Sequence, residues 1–212
     1  MSASNVEGII LAAGQSTRMG TDKLSLEISG QTILYHILME AIKSALDKII
    51  IVNRHCSRID NLEELCTTHK WRILNVINRK PKLGMSYSIK LGMAKVTDGS
   101  DGVMILLADQ VFLNSFVIDM LISASLKSPG RIIVPTIRGR RTTPVIFPSI
   151  LFPDLKQIGG DQGGREILKT NRGIVKTIEF GDRYDDIDVD TKDDYLKIIS
   201  KFKHQPNKIY EN

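Results

Sequence analysis

The sequence predicts an α/β fold in three layers: a mostly parallel sheet with a late antiparallel strand, covered by helices on both faces. Two observations predict it. Apolar runs of strand length alternate with helical patterns along the 212 residues, as in successive βαβ units. Several of those runs are almost uninterrupted, as expected of strands buried on both faces.

Val6–Ala12 (VEGIILA) is the first such strand. Residues 14–23 form a loop. Thr32–Ala45 carries Ile33, Ile37, Leu38, Ala41 and Ile42 on one helical stripe. Lys48–Asn53 is a second buried strand, Ser57–His69 a helix, and Trp71–Ile77 a third strand. Met85–Val96 reads as a helix after Gly84. Gly102–Asp109 (GVMILLAD) carries the strongest strand signal in the chain. Ser115–Leu126 is a helix that Asn114 is suited to cap. Arg131–Ile137 and Thr143–Phe147 are strands, followed by a helix near Ser149–Ile158. Gly163–Lys169 is a short helix, Ile174–Phe180 a strand and Lys192–Phe202 the last helix. The expected organisation is one domain over residues 1–203, with a loose polar tail over 204–212.

Composition excludes several classes. A chain that is 42% hydrophobic and 25% charged is neither disordered nor collagen-like. No apolar run reaches the roughly 18 residues a membrane helix needs, and MSASNVEG lacks the basic start of a signal peptide. Cys56 and Cys66 make neither a disulfide framework nor a metal knuckle. A cytoplasmic protein is expected. The net charge of +5 fits anionic ligands and nucleic acid alike, but no basic–aromatic interleaving supports a nucleic-acid partner. Charge is uneven. Residues 72–90 carry Arg72, Arg79, Lys80, Lys82 and Lys90 without an acid, whereas Glu179–Asp194 holds eight acids against Arg183 and Lys192. The pattern suits phosphates in one place and a cation in another, or two solvated surfaces.

Parallel sheets bind ligands at the carboxyl ends of their strands, which directs attention to the loops after Ala12, Asn53, Ile77 and Leu107. The first, LAAGQSTRMGTDK, ends strand one in small residues that let backbone approach a ligand, and Arg18 and Lys23 add charged donors. It fits neither GxxxxGK[ST] nor GxGxxG. After the strongest strand comes Ala108-Asp109-Gln110. A carboxylate at the end of a buried strand stays ionised only with a cation or donors. Ser86 and Ser88, beside Gly84, either cap a helix or bind a ligand. Gly159–Arg165 (GGDQGGR) is glycine-dense, and Asp161 either caps the next helix or meets a ligand. Asp186–Thr191 (DIDVDT) precedes a helix that Thr191 is placed to cap. The four histidines fit no catalytic spacing.

These motifs, in order from about Gly8 to about Ile199, resemble the nucleotidyltransferases related to molybdenum cofactor cytidylyl- and guanylyltransferases. The resemblance implies a Rossmann-like fold and transfer of CMP from CTP to the terminal phosphate of molybdenum-bound molybdopterin, with release of pyrophosphate. The product would serve a molybdenum hydroxylase. It implies nucleotide binding by Leu11, Ala12, Ala13, Gly14, Arg18, Lys23, Gly84, Ser86 and Asp109. Arg18, Lys23 and Asp109 would be catalytic. Mg²⁺ would sit on Asp109 and Asp190, with Asp188 the alternative to Asp190. Asp161, Gly163 and Arg165 would meet the acceptor. Ala13 favours CTP, since the guanylyl branch carries Ala-Gly-Gly. Three departures stand out: Val111 replaces a proline, Gly164 an alanine, and the family's histidine before Pro144 is absent. GTP, a sugar phosphate or methylerythritol phosphate, and a non-catalytic molybdopterin carrier are the alternatives.

Overall fold

The computed structural model describes residues 5–14, 22–54, 62–69, 71–160 and 163–204. Its strands are β1 (Val6–Ala12), β2 (Glu27–Ile28), β3 (Gln31–Thr32), β4 (Ile49–Asn53), β5 (Ile73–Ile77), β6 (Gly102–Leu107), β7 (Ile132–Ile137), β8 (Arg140–Arg141), β9 (Val145–Pro148) and β10 (Val175–Glu179). Its helices are α1 (Ile33–Lys43), α2 (Leu62–Thr68), α3 (Met85–Met93), α4 (Ser115–Leu126), α5 (Phe152–Gln157), α6 (Arg165–Thr170) and α7 (Lys192–His204). The main sheet has the order β10-β7-β9-β6-β1-β4-β5, with β8 on β7. β1 pairs in parallel with β4 and β6, as do β4 with β5 and β10 with β7. β9 runs antiparallel between β6 and β7, and the two-residue β8 is antiparallel to β7. The mostly parallel sheet with a late antiparallel strand is therefore the one expected.

Continuous apolar strands arise because both faces are covered. In β1, Val6 and Ile10 join the core that includes α1, α4 and α7, while Ile9 joins the core with α3 and α5. Burying one such isoleucine is worth about 1.5–3 kcal/mol. α3 reaches β1 closely because residue 92 is glycine; a Cβ there would lie 2.6 Å from Ile9 Cγ2. The caps are local. Asn114 accepts from Val117 N at 3.0 Å, and Thr32 accepts from Tyr35 N at 3.3 Å.

The β2–β3 hairpin was not legible in the pattern. Its turn holds Ser29 and Gly30 at φ 54° and 81°, and its strands have two residues each. The helix expected near Ser149–Ile158 is split into a 3-10 turn, Ser149–Leu151, and α5, because Pro153 suits only a helix's first turn. Of the helix expected over Ser57–His69, residues 57–61 lie outside the described residues, as does the tail 205–212. No helix among the described residues is long and apolar enough to cross a membrane.

Candidate active site

The carboxyl ends of β1 and β6 open into a cleft of about 830 Å³. Lys23 enters it from a 3-10 turn, Lys23–Ser25. Asp22 caps that turn by accepting from Leu24 N, and its carboxylate pairs with Arg54 Nη2 at 2.8 Å. Arg54 follows β4 directly, so the turn carrying Lys23 is tied to the sheet. The Lys23 ammonium donates to Asp109 Oδ2 at 2.6 Å and to Asp190 Oδ1 at 3.1 Å. Burial alone would depress its pKa; Asp109 and Asp190 outweigh burial and raise it above the ordinary value.

Asp188 and Asp190 both line the cleft, from a segment that belongs to no helix or strand. Val189 between them is fully buried and donates its N–H to the Asp109 carbonyl at 3.3 Å. Asp188 is pushed up to about 6 by its burial and by Asp109 and Asp190, with the Gln110 side chain and Lys23 opposing the rise. Its Oδ1 is buried without a hydrogen-bond partner.

The fit to a divalent cation follows from the donor set. Asp109, Asp188 and Asp190 offer only carboxylate oxygens, suited to Mg²⁺, Mn²⁺ or Ca²⁺, and Asp188 carries an unsatisfied one. Among the described residues no group of three or more acidic, histidine or cysteine side chains is placed to hold a metal ion by itself. A cation held here would therefore draw on substrate oxygens as well, as Mg²⁺ commonly does.

Away from the carboxylates the lining changes. Leu11, Ala13, Gly14, Leu83, Gly84 and Ser88 form a small-residue and apolar flank, and Lys82 and Arg165 add positive charge. This is the layout of a site for a flat, uncharged group attached to phosphates.

Of the residues expected at the site, Leu11, Ala13, Gly14, Lys23, Gly84, Asp109, Arg165, Asp188 and Asp190 line this one cleft. Three expected residues are near it but do not line it. Ala12 is fully buried. Ser86 is buried and donates its hydroxyl to the Gly160 carbonyl, so it fastens the glycine-rich turn to α3. Gly163, at φ 55°, packs on Met85, whose Sδ would lie 2.7 Å from an added Cβ. Arg18 and Asp161 lie outside the described residues. Ser88, held by Asn78 Nδ2 at 2.9 Å, is the serine that reaches the cleft. Arg54 also escaped the sequence reading; its position as the first residue after a buried strand was the available signal.

The uneven charge also resolves residue by residue. Arg72 turns away from the site and donates to the carbonyls of Ile42, Ser44 and Leu46, closing the end of α1. In the acidic segment, Glu179 accepts from the backbone N–H groups of Arg138, Gly139 and Gly181. Asp182 pairs with Arg138, Asp185 with Lys201 and Asp186 with Arg140. Asp194 forms a reciprocal cap with Thr191, as expected of that threonine. Only Asp188 and Asp190 of this segment line the cleft.

Residues 8–176 match the family described as MobA-like NTP transferase domain. The purine catabolism protein PucB of Bacillus subtilis is 34% identical over 199 residues, 89% of this chain and 93% of its own length. A probable molybdenum cofactor guanylyltransferase of Natranaerobius thermophilus is 29% identical over 138 residues, 64% of this chain and 62% of its own. The crystal structure of the Rv0371c homolog from Mycobacterium sp. strain JC1 is 26% identical with a TM-score of 0.76, covering 94% of this chain and 98% of that one.

Proposed function

Because the chain belongs to the MobA-like NTP transferase family and is a nucleotidyltransferase, we propose that it transfers CMP from CTP to the terminal phosphate of molybdenum-bound molybdopterin. The observation that carries the reading is the convergence of Lys23, Asp109, Asp188 and Asp190 in one cleft that Ala13, Gly14 and Gly84 also line. The relative named for purine catabolism supports the acceptor, since molybdenum hydroxylases of the xanthine dehydrogenase type oxidise purines.

The acceptor's own phosphate is the nucleophile, so the reaction needs no serine or cysteine nucleophile. A new P–O bond forms between that phosphate and the α-phosphorus of CTP, and pyrophosphate leaves with the electron pair of the broken P–O bond. Catalysis is alignment and charge neutralisation. Lys23, with Arg18 from the same loop, stabilises the triphosphate and the departing pyrophosphate. Small residues at the end of β1 let the base lie against backbone, and the family resemblance makes Ala13 a mark of CTP rather than GTP. Asp109 with Asp190, or with Asp188, holds Mg²⁺, which when bound supplies positive charge to the reacting phosphates. Arg165, which lines the cleft, supplies positive charge to the acceptor's phosphate. The product, released in the cytoplasm, passes to a molybdenum hydroxylase. Residues 1–203 form the functional domain.

One observation favours a second reading, with GTP as the donor: the relative named as a probable guanylyltransferase. Pyrophosphate release with Mg²⁺ and molybdenum-loaded molybdopterin, compared among CTP, GTP and ATP, separates the two. CTP-dependent release that falls by orders of magnitude in Asp109→Asn, with folding retained, is the expected result. Release with GTP alone would overturn the base assignment. Undiminished turnover in Asp109→Asn would remove that residue from the mechanism.

A further inference from the structure

Arg54 takes no part in the chemistry above, yet it holds the turn from which Lys23 acts. Lys23 stands between two anchors. On one side Leu24 is 5% exposed and joins the core that includes Ile33 and Ile37 of α1. On the other side Asp22 is held by its carboxylate: Oδ1 accepts from Leu24 N at 3.4 Å and meets Arg54 Nη2 at 2.8 Å. One oxygen atom therefore both starts the turn and ties it to the end of β4. The Asp22 carbonyl closes the turn from the other direction, accepting from Ser25 Oγ at 2.8 Å and from Ser25 N at 3.1 Å. The Arg54 and Asp22 side chains are 22% and 25% exposed, so water and salt screen their attraction less than at an open surface. Arg54 Nε, in contrast, is buried without a hydrogen-bond partner. A buried donor left unpaired is costly, so fold stability alone does not explain an arginine here. What the arginine fixes is where the turn sits.

We propose that Arg54 is a positioning residue: through its ion pair with Asp22 it fixes where the Lys23 ammonium meets the nucleotide's triphosphate. The inference rests on the reading of Lys23 as a cation for that triphosphate and deepens it. Arg54 acts on the residue next to Lys23, not on the substrate. The tether crosses between strands. β4 pairs in parallel with β1, with Asn53 beside Ala12, so the ion pair joins the end of β4 to the loop that leaves β1. A lysine side chain is long and loses much rotamer freedom when it is held. Fixing its backbone on both sides limits the volume the ammonium samples. A displacement of about 1 Å in a group that aligns substrate can cost on the order of 100-fold in rate.

The test is binding of CTP and of GTP with Mg²⁺, followed by isothermal titration calorimetry on the full-length protein, with the melting temperature recorded for every variant. Arg54→Gln removes the charge and is expected to weaken nucleotide binding about tenfold. Asp22→Ser keeps a capping oxygen for Leu24 N but withdraws the carboxylate from Arg54, and should weaken binding by a similar factor. The double variant should be no worse than either single one, because both break the same contact. Arg54→Lys, which keeps the charge, should restore part of the affinity. Lys23→Met is the deciding background: Arg54→Gln should cost nothing further there. A further tenfold loss in that background would mean that Arg54 meets the phosphates itself, and wild-type affinity in Arg54→Gln would mean that the turn needs no tether. Either result overturns the proposal. Where Arg54→Gln melts too low to assay, Asp22→Ser decides by the same two comparisons. Wild-type affinity in Lys23→Met, or a wild-type protein that binds neither nucleotide, overturns the reading of the cleft and the inference with it. Affinity lost in Lys23→Met but kept in Arg54→Gln and Asp22→Ser sinks the inference alone.

Discussion

Replacing Gly164 by alanine isolates the turn that delivers Arg165 to the cleft. An alanine Cβ would stand 2.7 Å from Phe147 Cζ and 3.2 Å from Cε2. Carbon atoms in contact rest at about 3.5–4.0 Å, so ring or turn must move by close to an ångström. Phe147 is 1% exposed and packed in the core beneath α5, which leaves the ring little room, so the turn gives way too. Overpacking of this kind costs about 1–3 kcal/mol. For a chain of this size that is a fall in melting temperature of about 2–12 °C. Urea unfolding should show a lower midpoint with an unchanged slope, and the shifted turn should raise KM for the acceptor through Arg165. Phe147→Leu added to Gly164→Ala makes room for the methyl, so the double variant should be more stable than the sum of the single changes. A Gly164→Ala protein as stable as its parent, or strict additivity in the double variant, would refute the claim that this ring pins the turn.

Further outcomes follow from other contacts. Arg72→Lys cannot keep three carbonyls in one planar fork and should lose about 1–3 kcal/mol in urea titration, with KM for nucleotide unchanged because the residue lies at the far end of the sheet. His36 lies buried against the Ile28 carbonyl, its Nε2 2.9 Å away. Burial outweighs that carbonyl, Glu40 and Gln31 and lowers its pKa from the ordinary 6.5. The unfolded chain therefore binds this proton more readily. The stability His36 contributes is present above pH 6.5 and is lost as the pH falls from there through the folded value. Urea midpoints at pH 7.5 and pH 5.5 should fall with acid in the wild type, and the part of that slope due to His36 should vanish in His36→Gln.

Layer order, the parallel sheet and the late antiparallel strand were legible because burial on both faces writes continuous apolar runs, and because β9 and β10 close a sheet already specified by β1, β4 and β6. The hairpin at Glu27–Thr32 was hidden because two-residue strands leave no periodicity. At the site, Asp109 was legible as a charge at the end of a buried strand, Lys23 as a basic donor in the loop after β1, and Asp190 only through the family resemblance. The work of Ser86 was not: a hydroxyl at a helix start looks alike whether it meets a ligand or the Gly160 carbonyl. Nor did charge density separate Arg72, which closes α1, from Lys82, which lines the cleft.

The cleft has no local precursor. Lys23 meets Asp109 across 86 residues and Asp190 across 167, and each of those contacts requires strands of the parallel sheet to be already in register. Chains built from such distant pairings close loops late and fold slowly. During refolding, helical circular dichroism should therefore recover well before Mn²⁺ or nucleotide binding. The nascent chain, too, holds no competent site until residues past 190 have left the ribosome.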